Sequence, residues 1–106
     1  MSLWIIEYTY DKRTELRASL ASEHSWYLAG LADAGAMIAF GECDGDTDEL
    51  LIASGSSKEH VEDLIQGDPY VCVGLVAHVR VRRWESRLVQ SWEATRILGN
   101  PSSENG

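Results

Sequence analysis

The order of strand-like and helix-like segments restricts the fold of this 106-residue chain more than any other feature of its sequence. Short runs of β-branched, aromatic and other apolar residues predict four strands, at residues 3–9, 36–41, 50–53 and 73–84. Apolar residues three and four positions apart predict two helices, at residues 14–34 and 56–67. The order strand–helix–strand–strand–helix–strand is that of the split β-α-β unit. We therefore predict an α+β, ferredoxin-like (βαββαβ) fold with both helices on one face of an antiparallel sheet.

Local signals predict where the helices begin and end. Gly35 follows the first helix and can adopt the left-handed conformation that ends many helices. Ser56 and Glu59 have the spacing of a capping box at the start of the second helix. Asp68 precedes Pro69, so its backbone is predicted to be extended, and we expect it to cap no helix.

The length of the chain fits one domain, since domains typically have roughly 100–200 residues. We assign residues 1–84 to that domain. Leu88 and Trp92 lie at helical spacing within residues 85–98, which predicts a C-terminal amphipathic helix that could dock on a partner. Residues 99–106 are predicted to form a flexible tail.

The predicted fold leaves one sheet face without a helix to cover it. A chain this short has a modest stability margin, because small domains bury a smaller fraction of their surface than large ones. We therefore expect a second copy of the chain to cover that face, so that the protein is a homodimer.

The charge balance argues against two classes of partner. The chain has 9 Lys and Arg against 17 Asp and Glu, which gives a formal net charge of −8. Nucleic-acid binding needs clustered basic residues that displace counterions from phosphates, and anionic membranes attract basic segments. The sequence therefore predicts no nucleic-acid and no membrane partner.

The cysteines and the acidic residues give no sign of a metal or cofactor. Cys43 and Cys72 are isolated, and the N-terminal residues do not resemble a secretory signal, so we expect reduced thiols and a cytoplasmic location. A disulfide between them stays an open alternative. The acidic stretch at residues 42–49 does not match the EF-hand template and is predicted to be a solvated loop. We predict no structural metal and no cofactor.

His24 is the first candidate for a functional residue. It lies on the apolar stripe of the first predicted helix, with Leu20, Tyr27 and Leu31 on the same stripe. It should therefore point toward the sheet. One interpretation is a core histidine with satisfied hydrogen bonds; the other is a general acid or base whose pKa is set by partial burial.

Two aspartates could orient the imidazole of His24. Asp33 follows it by nine residues, which places it on the opposite face of a straight helix. Asp68 follows the second helix and is held by Pro69, so we rank it first. The other interpretation of Asp68 is a turn-forming residue, which is common for Asp-Pro.

The last predicted strand alternates between apolar and basic residues. Ala77, Val79 and Val81 share one face and are expected under the helices; His78, Arg80, Arg82 and Trp84 share the other. The basic set could bind a carboxylate or phenolate substrate, because arginine binds carboxylates through two parallel bonds. Ion pairing with the acidic residues of the protein is the competing interpretation.

Two segments resemble a known family. The first contains Glu-His-Ser-Trp-Tyr-Leu at residues 23–28, with Leu31, Gly35 and Phe40-Gly41; the second contains Asp-Pro-Tyr-Val at 68–71, with Gly74-Leu75 and residues 79–84. Together they are similar to the YciI-like (YCII-related) family of the dimeric α/β-barrel superfamily, over about residues 3–84.

The resemblance implies a dimer with a pocket at the His24–Asp68 pair, both of which match the catalytic positions proposed for the family. Tyr70 of the Asp-Pro-Tyr segment joins the substrate-binding candidates. A relative is a dehydrochlorinase of aromatic catabolism, and muconolactone isomerases share the superfamily fold. The chain departs from the family at Ala21, where arginine is frequent, and at Glu42, where proline is usual.

The first functional hypothesis is a cofactor-free lyase or isomerase. His24 would move a proton on a small anionic or phenolic ring compound, and Asp68 would hold the imidazole or accept a proton itself. Arg80 or Arg82 would stabilise negative charge on an enolate-like intermediate. The alternative is a non-catalytic dimer that binds a small molecule or serves as an accessory protein. A third possibility is a structural subunit whose barrel is filled.

Overall fold

The computed structural model describes residues 2–45 and 47–87. Its elements are β1 (Ser2–Tyr10), α1 (Thr14–Asp33), β2 (Met37–Cys43), β3 (Asp48–Gly55), α2 (Lys58–Ile65), α3 (Pro69–Cys72) and β4 (Val76–Trp84). The four strands form one antiparallel sheet in the order β2-β3-β1-β4. This architecture confirms the predicted α+β, ferredoxin-like fold, with the short helix α3 as an addition.

The core lies between the helices and one face of the sheet. Alternate residues of the central strand β1 point into it, and the fully buried members of the core come from four elements and one loop: Ile6, Tyr8, Leu28, Leu51, Ala53, Val61 and Leu75. Burying one such aliphatic side chain stabilises a fold by about 1.5–3 kcal/mol. The register of the strands is therefore fixed, because a shift by one residue would move the strand members, Ile6, Tyr8, Leu51 and Ala53, to the opposite face of the sheet.

The acidic stretch at residues 42–49 was wrongly predicted to be a loop throughout. Strand β2 continues to Cys43 and β3 begins at Asp48, so the connection is shorter, with Asp44 and Gly45 both at positive φ. Glu49 pairs with Tyr8 of β1, and both side chains are buried on the helix side of the sheet. A residue expected in water therefore belongs to the protein interior.

The ends of the helices differ from the predictions by small steps. Gly35 has a φ of 82° after α1, as expected for a left-handed helix end. The N-cap of α2 is Ser57 rather than Ser56, and its Oγ accepts a hydrogen bond from the His60 backbone N–H at 3.0 Å. The His60 Nδ1 accepts from the Ser56 backbone N–H at 3.1 Å. The capping box is thus shifted by one residue, with histidine in the place expected for Glu59.

The register of β4 agrees with its predicted alternation. Val79 lies opposite Tyr8 and Val81 opposite Ile6, on the helix side of the sheet, but Val79 is 42% exposed and not covered as predicted. His78, Arg80, Arg82 and Trp84 lie opposite Thr9, Glu7, Ile5 and Leu3, on the open side. Ala77 departs from the pattern, because the ladder shifts there: Thr9 pairs with His78, but Tyr10 pairs with Val76.

Three further predictions can be compared with the structure only over the described residues. Neither Cys43 nor Cys72 is in a disulfide within those residues. None of the described helices has the length and apolar character to span a membrane. Of the predicted C-terminal helix at 85–98, residues 85–87 are described and are not helical, while 88–98 and the predicted tail at 99–106 lie outside the described residues.

Candidate active site

The structure brings His24 and Asp68 together. The His24 Nδ1 lies 2.8 Å from Asp68 Oδ1 and 2.9 Å from Asp68 Oδ2. Both residues are buried, with 4% of His24 and 0% of Asp68 exposed. The helical stripe on α1 turns the imidazole inward, and the extended backbone before Pro69 carries the aspartate to it. Asp33, the second candidate partner, is exposed near the end of α1.

Asp68 is held by three donors from three parts of the chain. Besides the imidazole, its carboxylate accepts a hydrogen bond from the Tyr8 hydroxyl at 2.9 Å and from the Tyr70 backbone N–H at 3.0 Å. The second bond makes Asp68 the N-cap of α3, so the prediction that it caps nothing was wrong. A buried carboxylate needs such donors, because desolvation without them costs several kcal/mol. The three donors therefore fix the orientation of Asp68.

A second carboxylate closes the cluster on the other side of the imidazole. Glu49 Oε1 lies 2.7 Å from His24 Nε2, and it also accepts a hydrogen bond from the Tyr10 hydroxyl at 2.6 Å. The sequence analysis missed Glu49 because it stood in an acidic run. The signal that could have revealed Glu49 as a buried residue is its alternation with Leu51 and Ala53. All three share the inward face of β3.

Tyr70 forms the flat wall of the imidazole site. Its ring stacks on the His24 ring with the centroids 3.9 Å apart and an angle of 8° between the planes. Its hydroxyl donates a hydrogen bond to the Arg17 backbone carbonyl at 3.1 Å. Stacking on an aromatic face favours a cationic ring. Tyr70 thus contacts His24 directly, and its predicted contact with a substrate stays a prediction.

The surroundings of His24 favour its charged form. Burial lowers the pKa of His24, but the hydrogen bonds and negative charges of Asp68 and Glu49 outweigh that effect and raise it to about 9. Burial and the same carboxylates raise the pKa values of the Tyr8 and Tyr10 hydroxyls, which therefore remain donors. At neutral pH the cluster contains an imidazolium that donates one N–H to each carboxylate.

A cavity of about 310 Å³ lies on the open side of the sheet, across the sheet from this cluster. Tyr8 and Glu49, which bond to Asp68 and His24, line it together with two predicted substrate-binding residues, His78 and Arg80. The other lining residues are Glu7, Thr9, Cys43, Asp48 and Leu50. The cavity thus lies beside part of the basic row of β4, and His24 and Asp68 do not line it.

Two arginines of β4, Arg80 and Arg82, lie within ion-pair distance of a glutamate of the same chain. Arg82 Nη2 lies 3.4 Å from Glu7 Oε2, and Arg80 Nε lies 4.0 Å from Glu7 Oε1. Such exposed ion pairs contribute little to stability, typically 0–1 kcal/mol. These contacts with Glu7 support the interpretation that the basic residues of β4 form ion pairs. The position of Arg80 at the cavity is also compatible with anion binding.

Among residues 2–45 and 47–87, no cluster of three or more His, Cys, Asp or Glu side chains is arranged to hold a metal ion. The geometry of the buried cluster gives the reason. Its two carboxylates bind opposite nitrogens of one imidazole, so their oxygens do not converge on a common point with a ring nitrogen.

The fold and the site define a class of protein: a ferredoxin-like α+β domain that holds a buried histidine between carboxylates beneath its sheet. The chain belongs to the YCII-related family, since the YCII-related domain matches residues 1–85. This match confirms the resemblance to that family seen in the sequence. No match is found among curated protein sequences.

Several solved structures share the fold. One is 5-chloro-2-hydroxyhydroquinone dehydrochlorinase from Burkholderia phenoliruptrix AC1100, with 24% identity, a TM-score of 0.67 and coverage of 80% of this chain and 95% of that chain. Protein Atu4242 from Agrobacterium tumefaciens has 11% identity, a TM-score of 0.52 and coverage of 85% and 98%. A transcriptional regulatory protein of the AsnC family from Pyrococcus furiosus has 11% identity, a TM-score of 0.51 and coverage of 91% and 57%.

Replacing Asp68 by asparagine should lower the pKa of His24. The substitution keeps the shape of the side chain but removes one of the two negative charges that favour the imidazolium. The pKa should fall from about 9 toward the ordinary value of 6.5, as measured by NMR titration of the imidazole C–H signals. Asp33→Asn is the matched control and should leave the titration unchanged. An unchanged His24 titration in Asp68→Asn would show that the contact carries no charge coupling.

The stability of the protein should fall as the pH rises through the range in which folded His24 titrates. The folded pKa of about 9 exceeds the unfolded value of 6.5, so the stabilisation is complete below pH 6.5 and lost above about pH 9. The difference corresponds to a loss of about 3 kcal/mol. Urea unfolding at pH 6 to 10 measures it, with His24→Gln as the reference that lacks this titration. A stability difference between the two proteins that does not shrink with pH would contradict the prediction.

Proposed function

We propose that the protein is a small enzyme that transfers a proton in the elimination or isomerisation of an anionic or phenolic ring compound. The observation that carries this proposal is the buried contact of His24 with Asp68, on the helix side of a sheet whose open side bears a cavity lined by basic residues. His24 provides the proton-transfer group, and Asp68 holds its ring in one orientation. Neither reaction type requires a redox centre or a covalent nucleophile, so the proposal includes no cofactor.

The charge distribution around the cavity supports an anionic ring as the ligand. Arg80 and His78 stand on the β4 side of the cavity, where negative charge that develops on a ring oxygen would be stabilised. Glu49 and Tyr8 also line the cavity, and their side chains bond to the His24–Asp68 pair on the other side of the sheet. A dehydrochlorinase with this fold has been solved in complex with 2,5-dihydroxybenzoquinone, which is a ring compound of this class. A cytoplasmic location, expected from the two cysteines, belongs to the same proposal.

The open face of the sheet supports a homodimer. Leu50 and Trp84 are 36% and 42% exposed, and the register places Ile5 and Ile52 on the same face. Glu7, which lines the cavity, also lies on this face, so a second copy seated there would cover part of the cavity as well as apolar surface.

Ile52→Lys should convert the dimer into a monomer. Ile52 lies on the open face of β3, opposite Ile5, and a charge there would be desolvated if a partner covered it. Light scattering after size exclusion gives the mass. Trp26→Ser is the control, because Trp26 is 82% exposed on α1, away from that face. A monomeric wild type, or a dimeric Ile52→Lys variant, would refute the proposed interface.

His24→Gln should reduce turnover by about 100-fold or more, the contribution typical of a general acid or base. Loss of 5-chloro-2-hydroxyhydroquinone, followed by absorbance, measures the activity, and circular dichroism shows whether the variant folds. His60→Gln is the control, because His60 bonds to Ser56 at the start of α2 and does not touch the cluster. Full activity in His24→Gln would remove the imidazole from the mechanism.

A non-catalytic ligand-binding dimer is the second candidate function. It is favoured by the isolation of the imidazole, which is 4% exposed and has both ring nitrogens bonded within the protein. In this case the wild type would bind 2,5-dihydroxybenzoquinone tightly in calorimetry and turn over no ring compound. Binding with turnover favours the enzyme.

A further inference from the structure

We propose that Tyr70 is a positioning residue for His24: its ring holds the imidazole between two carboxylates and favours the charged form of that imidazole. The inference rests on the proposed function, in which His24 transfers the proton, and it adds the residue that controls the state of this group. The observation behind it is a stack, in which the centroids of the two rings lie 3.9 Å apart with an angle of 8° between their planes. Tyr70 therefore acts through the imidazole and need not touch the reacting atoms.

The hydrogen bonds of His24 leave only the faces of its ring for other contacts. Nδ1 lies 2.8 Å from Asp68 Oδ1 and Nε2 lies 2.7 Å from Glu49 Oε1, and the N–H bonds of an imidazolium point outward in the plane of the ring. Tyr70 covers one of the two faces. A rotation of the imidazole about its Cβ–Cγ bond would press it against the Tyr70 ring and pull both nitrogens away from the carboxylates. The stack thus keeps the imidazole in the plane that both hydrogen bonds require.

Tyr70 can hold another ring because its own position is fixed. It is buried, and its hydroxyl donates a hydrogen bond to the Arg17 backbone carbonyl at 3.1 Å. Its backbone N–H donates to Asp68 Oδ1 at 3.0 Å, and the ring of Tyr10 packs edge-on against its ring at an angle of 86°. A residue that orients a functional side chain needs its own rotamer locked by packing and hydrogen bonds. Tyr70 meets that requirement at its ring, its hydroxyl and its backbone.

The face of the Tyr70 ring also affects the charge of its neighbour. An aromatic face carries partial negative charge and attracts a cation placed over it. A stacked imidazolium gains from this attraction more than a neutral imidazole does, so the stack favours the protonated ring. Tyr70 itself stays uncharged at neutral pH, since burial raises the pKa of its hydroxyl. It therefore adds to the effect of Asp68 and Glu49 on His24 without placing a third negative charge in the core.

Titratable and charged groups surround the two stacked rings from several elements. They are Tyr8 and Tyr10 of β1, Arg17 of α1, Glu42 of β2, Glu49 of β3 and Asp68 before α3. Arg17 lies over the Tyr10 ring, with its guanidinium carbon 4.4 Å from the ring centroid, and lines a pocket of about 240 Å³ with Glu42 and Tyr70. The buried residues of α2 and the β4 residue opposite Tyr8 do not titrate: Val61, Ile65 and Val79. The hydrogen-bonded charges on the imidazole are thus those of the two carboxylates, and Tyr70 is its stacked partner.

Fluorination of the ring at position 70 separates the charge of its face from its shape. Tyr70→Phe keeps the ring without the hydroxyl, and pentafluorophenylalanine at the same position has nearly the same shape but no electron-rich face. We expect His24 to titrate about 0.5–1.5 pH units lower in the fluorinated protein than in Tyr70→Phe, by NMR of the imidazole C–H signals. The same two replacements at Tyr27 are the matched control and should give equal titrations of His24. The Tyr27 hydroxyl also donates to a backbone carbonyl, that of Leu64, but its ring is not the one stacked on the imidazole.

The pH dependence of turnover links this titration to the proposed function. With 5-chloro-2-hydroxyhydroquinone as the substrate, the alkaline limb of kcat/KM should move to lower pH in the fluorinated protein, by the same shift as the His24 titration. A residue that only bound the substrate would leave this limb in place. A limb that does not move with the titration would therefore overturn the role of Tyr70 in the reaction.

The outcomes separate the two proposals. Equal His24 titrations in Tyr70→Phe and the fluorinated protein would overturn the role of Tyr70 and leave the proposed function standing. A shifted titration in a protein whose wild type turns over no ring compound would overturn the proposed function and leave the control of His24 by Tyr70 intact. If the pentafluorinated protein does not fold, 4-fluorophenylalanine at position 70 should give a smaller shift in the same direction. The absence of that shift would also overturn the role of Tyr70.

Discussion

The structure depends on the burial of one imidazole between two carboxylates. Removing charged groups from water costs several kcal/mol for each ion, and only close hydrogen bonds of good geometry offset that cost. The cluster supplies them, since His24 donates to Asp68 and Glu49, and tyrosine hydroxyls donate to both carboxylates. The same bonds tie α1 to β3, to the central strand β1 and to the segment before α3. Loss of any member leaves a buried charge without its partner, which costs more than the net stabilisation by the intact cluster.

This constraint also explains the short helix α3. Asp68 can bond to the imidazole only if its carboxylate points into the core, and Pro69 favours the extended backbone that this requires. The turn of helix that follows places the Tyr70 N–H on the carboxylate and the Tyr70 ring on the imidazole. Two residues only two positions apart, Asp68 and Tyr70, thus contact His24 from two directions.

The parts of this arrangement that follow from the periodic spacing of apolar residues could be predicted from the sequence. The helical stripe around His24 and the order of the strands depend on apolar spacing, and both predictions were confirmed. Glu49 was missed because acidic neighbours in the sequence are typical of solvated loops, and only pairing with β1 shows that it points inward. The N-cap was misplaced by one residue because Glu59 has capping-box spacing from Ser56, whereas in the structure Ser57 caps the helix. Such choices depend on tertiary contacts that local patterns do not contain.

The two edge strands of the sheet, unlike its open face, carry features that hinder pairing with other chains. At one edge, β2 carries a register shift between Met37 and Ala39, which interrupts a regular row of backbone donors and acceptors. At the other edge, β4 presents Arg80, Arg82 and Arg83, and the ladder shifts near its start. Bulges and charges of this kind discourage the addition of a foreign strand. These features disfavour edge-to-edge pairing of many copies into fibres. They do not prevent two copies from associating through the open faces of their sheets.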